Sequence, residues 1–122
     1  MAQKYIVNDI VMYKNRIHTI IDISASNGYK LSYVRHQVSS VRLSGVPLTP
    51  EILEKNGWKD DGYDWYRLPT KRAYLYITKD MTTLGEFLVC VGLDRHNLAS
   101  INFVHQLQHL LFGLNINSEM EV

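Results

Sequence analysis

One cysteine, three prolines and no unbroken apolar run of membrane length set the first limits on this chain of 122 residues. With Cys90 alone, no intramolecular disulfide can form. Its place in the apolar run Phe87-Leu88-Val89-Cys90-Val91 reads as a buried structural thiol rather than a nucleophile. The first residues, MAQKYIVNDIVMYK, carry neither a signal-peptide pattern nor a membrane span, so a cytoplasmic protein is expected. There is no G-x-S-x-G elbow, no glycine-rich phosphate loop and no dense acidic cluster, which removes the commonest hydrolase and nucleotidyl-transfer motifs. Charge is balanced, 13 Lys and Arg against 12 Asp and Glu, so attraction to nucleic acid would have to come from a local patch. KDDGYD (59–64) has three acids and a glycine but lacks the closing glutamate of a calcium loop, and reads as a hairpin turn. Repeats and low-complexity segments are absent.

Hydrophobic residues at 46% and charged residues at 20% predict one packed domain, large enough to fold without disulfides or metal. Its first part, residues 1–48, is β-rich. DIVMYK (9–14) and IHTIIDISA (17–25) read as a hairpin turning at Asn15-Arg16, with Ile17, Thr19, Ile21 and Ile23 on one face of the second strand. Asn27-Gly28 marks another turn, and YKLSYV and QVSSVRL supply two more strands, which suits a small SH3-like barrel or half-barrel. A linking helix spans 49–57: Thr49 is its N-cap, Pro50 its first residue, Glu51 favours the positive end of its dipole, and Gly57 ends it. The remainder, 58–122, reads as an antiparallel sheet covered by one amphipathic helix. RAYLYIT alternates Ala73, Leu75 and Ile77 against Tyr74, Tyr76 and Thr78; GEFLVCVG is a central strand, and NLASI a last one. The whole is predicted to be α+β.

The helix, FVHQLQHLLFGL (103–114), contains two histidines four apart. At about 100° per residue, Phe103, Val104, Leu107, Leu110, Leu111 and Leu114 form an apolar stripe about 120° wide, with His105 and His109 opposite. A zincin would need a glutamate at position 106. Gln106 cannot take a proton from zinc-bound water, so a metal-dependent hydrolase with an H-Q-x-x-H site is only a remote alternative. No metal and no cofactor is expected. His105, His109 and Phe112 read instead as a solvated face or as an interface with another chain, most simply a second copy of this one.

VPLTPEILEKNGW, followed by INFVHQLQHLLFGL and an acidic end, resembles a family of small proteins encoded by gut Bacteroidales phages, prophages and related mobile elements. The likeness covers nearly the whole chain: a β-rich start, a PLT-x-E helix, a tyrosine-rich hairpin and a closing VH-[QE]-LQ helix. It implies a genomic setting, hence the cytoplasm of a host cell, and no catalytic assignment. Small accessory proteins of this kind bind something of the host: a nucleic acid, a protein, or a nucleotide immune signal that they sequester.

The residues fitted for binding are cations interleaved with aromatics. YVRHQVSSVR offers Tyr33, Arg35, His36 and Arg42, and DWYRLPTKRAYLY offers Trp65, Tyr66, Arg67, Lys71, Arg72, Tyr74 and Tyr76. Arg95 and His96 stand in a loop. Aromatic faces stack bases while guanidinium and ammonium groups hold phosphates; the same residues are also ordinary on the outer face of a sheet. The expected ligand set is Arg35, His36, Trp65, Tyr66, Arg72, Tyr74, Arg95 and His96. The expectation is a non-catalytic, homo-oligomeric accessory protein, an anti-defence sponge for a nucleotide or nucleotide-derived signal, with no membrane partner. The alternative is a nucleic-acid or host-protein binding module.

Overall fold

The structure is a computed structural model and describes residues 5–24, 28–62, 65–71, 73–78, 86–92, 94 and 96–122. The chain is α+β, mostly strand, and divides into two compact units: Met1–Pro47 with Phe103–Met120, and Leu48–Asn102 with Glu121–Val122.

The first unit holds β1 (Ile10–Tyr13), β2 (Arg16–Ile23), β3 (Gly28–Leu31), β4 (Val38–Ser39), a 3-10 turn (Ser40–Arg42) and β5 (Ser44–Gly45). Its sheet runs β4-β3-β2-β1-β5, with every pairing antiparallel. The β1–β2 turn falls one residue earlier than the sequence suggests. Tyr13 pairs with Arg16, and the two loop residues Lys14 and Asn15 both have positive φ, 49° and 63°. That is the twist a two-residue hairpin requires, and it obliges a lysine to take a backbone form usually left to glycine or asparagine. Val11, Tyr13, Ile20, Tyr29, Leu31 and Val38 make the core. Ile20 supplies the buried side of β2, whereas Ile17 and Ile21, from the isoleucine-rich face, are about half exposed at 47% and 48%. The turn expected at Asn27-Gly28 involves Asn27, outside the described residues.

The second unit contains α1 (Pro50–Lys55) and β6 (Lys59–Gly62), β7 (Trp65–Pro69), β8 (Tyr74–Thr78), β9 (Phe87–Val91) and β10 (His96–Ile101), in the simple antiparallel order β10-β9-β8-β7-β6. The caps of α1 are those the sequence shows: Thr49 Oγ1 accepts from the Ile52 N–H at 3.2 Å, Pro50 opens the helix, and Gly57 follows with φ +90°. Leu53, Trp58, Leu75, Ile77, Val89 and Ile101 are buried.

The closing helix, α2 (Val104–Gly113), belongs with the first sheet and touches β1. The expectation that it covers the C-terminal sheet is therefore corrected. Periodicity reports that a helix has a core-facing side and carries no information about which sheet receives it. Among the described residues, no helix is long and apolar enough to cross a membrane.

Candidate functional site

The histidine-bearing helix is rotated from the phase its leucines suggest. Val104, His105, Leu107, Gln108 and Leu111 are buried, and Leu114 is exposed. The buried arc is centred about 80° from the expected stripe. Polar contacts fix this rotation. Gln108, only 3% exposed, accepts from the Ile10 N–H through Oε1 (2.9 Å) and donates through Nε2 to the carbonyls of Asn8 (2.9 Å) and Ser118 (3.2 Å). A buried amide with both ends satisfied sits in a core as readily as a leucine. His105 lies inside too, its ring edge-on to Tyr5 at 5.0 Å and stacked with Phe103 at 5.8 Å. Gln106, at the position of a zincin's glutamate, does structural work: its Oε1 accepts from the Phe103 N–H (3.1 Å), one half of a capping box.

His109 reaches back to the start of the chain and donates from Nε2 to Asp9 Oδ2 at 2.6 Å. Asp9 is 1% exposed and closes a turn in which its own N–H bonds to the Ile6 carbonyl. Asn8 provides the positive φ (78°) of a type II geometry, and Asp9 Oδ2 also accepts from the Ile6 N–H at 2.9 Å. Burial pushes the Asp9 carboxyl above its ordinary value, against the opposing pull of the Ile6 hydrogen bond and of His109's bond and charge. The proposed outward stripe of His105, His109 and Phe112 is thus broken up. His105 is buried within its own unit and His109 is tied to Asp9; Phe112 alone projects freely, 66% exposed. Among the described residues, no three His, Cys, Asp or Glu side chains are grouped to hold a metal ion.

The cation–aromatic residues fall into one group per unit. In the first, Tyr33 is fully exposed and has φ +63°. With Lys30, Arg35, Val34, Leu31 and Ile21 it lines a shallow, open notch of about 430 Å³. Among the described residues neither Lys30 nor Arg35 forms an ion pair, although Asp22 lies directly across the sheet from Lys30. His36 stands apart from the notch: its Nε2 is 3.4 Å from the Tyr13 hydroxyl. There it joins Lys14, whose ammonium sits 5.4 Å from the Tyr13 ring centroid, and His18, whose Nδ1 donates to the Ser32 carbonyl at 2.8 Å.

In the second unit the β7–β8 register places Trp65 and Arg67 on the face of Tyr74, Tyr76 and Thr78. Trp65 is edge-on to Tyr76 (6.3 Å), Tyr76 leans on Tyr74 (6.3 Å), and the Arg67 guanidinium covers the Tyr74 ring at 5.4 Å while its Nε lies 3.6 Å from Asp61. Tyr66 and His96 do not share this face. Tyr66 pairs with Ile77 and His96 with Val91, in register with the buried Leu75 side. Arg72 and Arg95 lie outside the described residues. Cys90 is buried and its Sγ donates to Asn97 Oδ1 at 3.3 Å, in keeping with a structural thiol.

Sequence reading does not single out Asp9 or Lys30, and it sets Gln108 outside the core, on the histidine side of the helix, which its 3% exposure corrects. Asn8-Asp9 before a strand signals a turn, but nothing local ties Asp9 to a histidine 100 residues away. Comparison of the chain with protein-family models, with curated proteins and with solved structures finds no match in any of the three.

Proposed function

We propose that this protein is a non-catalytic binding module for phosphate-bearing, base-containing ligands, and that single-stranded nucleic acid suits its surfaces best. The carrying observation is Tyr33: a wholly exposed ring, on a backbone form that costs energy for any non-glycine residue, between two cations that lack ion-pair partners among the described residues. An exposed aromatic flanked by cations is the unit from which base-stacking surfaces are built. The first unit is read here as an SH3-like half-barrel, on the strength of its meander, its 3-10 turn and the return of β5 to β1. The Trp65–Tyr76–Tyr74–Arg67 array supports the same class of ligand in the second unit.

The shallowness of the notch favours the strand reading. Sequestering a single nucleotide calls for a cavity that buries most of the ligand, whereas the Tyr33 notch is shallow and suits a strand passing across it. In a phage or mobile-element setting, such a module would act on host or element nucleic acid.

The test is fluorescence anisotropy with a labelled single strand of about a dozen nucleotides, a length suited to such a surface. Two phosphate contacts predict a loss of about sevenfold in affinity between about 50 and about 200 mM salt. Tyr33→Gly should weaken binding without lowering stability, because the side chain packs on nothing and glycine accepts the positive φ. Arg35→Ala should remove part of the salt dependence. Absence of strand binding at low salt overturns the proposal, and a mononucleotide that binds as tightly as the strand returns the nucleotide-sequestering reading to first place.

A further inference from the structure

A second depression, of about 550 Å³, lies between the Ile6–Asp9 turn, the second half of α2 and the segment 116–119. Ile6, Val7, Phe112 and Ile116 give it apolar walls, with Val7 44% and Phe112 66% exposed. Asp9 and Glu119 line it, and among the described residues no lysine or arginine does.

The hydrogen bonding of Asp9 is one-sided. Both of its bonds, from the Ile6 N–H and from His109 Nε2, go to Oδ2; Oδ1 accepts none from the described residues. An ionised carboxylate offers about four lone-pair sites, so Oδ1, with no donor from the described residues, is open to a donor entering the cleft that Asp9 lines. Burial pushes this carboxyl up, and the Ile6 hydrogen bond and His109 only oppose that push. Among the described residues, the His109 ring faces it and engages the other oxygen. Glu119, on the cleft wall, adds negative charge.

We propose that this cleft binds a small organic ammonium: a primary amine on an apolar body, its nitrogen donating to Asp9 Oδ1 and its hydrocarbon resting on Val7, Phe112 and Ile116. An alcohol of the same shape brings one donor and no charge, and a carboxylate meets Asp9 and Glu119 with like charge. The volume falls within the range of small-molecule sites, roughly 300–1,000 Å³.

The experiment is an amide chemical-shift titration of the intact protein with hexylammonium, hexan-1-ol and hexanoate. The amine should shift Ile6, Asn8 and Phe112 and bind at least about tenfold more tightly than the alcohol, the margin of one charge-assisted hydrogen bond; hexanoate should not bind. Phe112→Ala should weaken amine and alcohol alike, and Asp9→Asn, which keeps an acceptor for the Ile6 N–H, should abolish the preference for the amine. Should Asp9→Asn fail to fold, intermolecular NOEs in the wild type decide the matter: the methylene beside the nitrogen should lie near Asp9 and the terminal methyl near Phe112. Alcohol binding as tightly as amine, a preference that survives Asp9→Asn, the reverse orientation, or no binding of any probe each overturns the proposal.

Discussion

Replacing Gln108 by alanine removes no apolar surface of consequence, and the apolar pattern of α2 alone would make it harmless. The structure gives a different answer. Gln108 Oε1 is the acceptor for the Ile10 N–H, and Nε2 serves the carbonyls of Asn8 and Ser118. Ile10 is 5% exposed, so its N–H would be left in a site poor in water, at about 1–3 kcal/mol. The two carbonyls lose bonds worth about 0.5–1.5 kcal/mol each, less whatever water restores. The sum, about 3 kcal/mol, falls within the range of Leu107→Ala, about 2–5 kcal/mol. Both tryptophans, Trp58 and Trp65, lie in the second unit, so indole fluorescence is the wrong probe. Amide hydrogen exchange in the first unit, with urea unfolding followed by circular dichroism, reads the effect where it occurs. Gln108→Ala should lose protection at the Ile10 amide first. A change below about 0.5 kcal/mol, of the size usual for surface substitutions, with Ile10 protection intact, would refute the account of how α2 is oriented.

Asp9 gives a pH prediction of unusual sign. Its carboxyl is raised above the ordinary 3.8, so its contribution to stability is complete below that value and is lost as pH rises through the raised native value. Relative to Asp9→Asn, the wild type should therefore gain stability on acidification through this window, measured as the difference in urea midpoints; a relative loss would show that the His109 pairing outweighs burial. Adjacent helix residues should differ sharply. Leu111, 2% exposed, should cost about 2–5 kcal/mol as alanine, while Phe112→Ala should stay within about 0.5 kcal/mol, both by thermal unfolding. Gly45→Ala should cost about 1–3 kcal/mol, because a Cβ there would run into the Phe103 ring; equal stability would mean that the ring moves aside freely.

What could be read from the sequence was local. The caps of α1 and the strand at 97–101 follow from neighbouring residues, and the structure repeats them, whereas β8 is buried from Leu75 to Thr78 and only Tyr74 is exposed. The phase of α2 was not legible because it depends on partners far along the chain. Leu114 weighs in any apolar stripe, but it is the C-cap and is exposed; Gln108 counts as polar, yet it finds both a donor and acceptors at Asn8, Ile10 and Ser118. Period two puts Trp65 and Arg67 on one face of β7 and Tyr66 on the other, whereas the place of Tyr74 beside the first two depends on the β7–β8 register.

The placement of α2 also bears on the order of events during synthesis. Chain leaves the first unit at Pro47 and re-enters at Phe103, which pair in an antiparallel bridge; Val104 N–H bonds to the Val46 carbonyl at 2.9 Å. All five strands of the first sheet leave the ribosome well before the helix that satisfies the Ile10 amide and the Asp9 carboxylate. The second unit, almost continuous in sequence, is made during that interval, which lasts several seconds at roughly 5–20 residues per second. Until α2 arrives, the Ile10 donor lacks its Gln108 acceptor and the Asp9 carboxylate lacks His109. A chain that ended at Asn102 would carry every strand of both sheets and still lack the helix that completes the first.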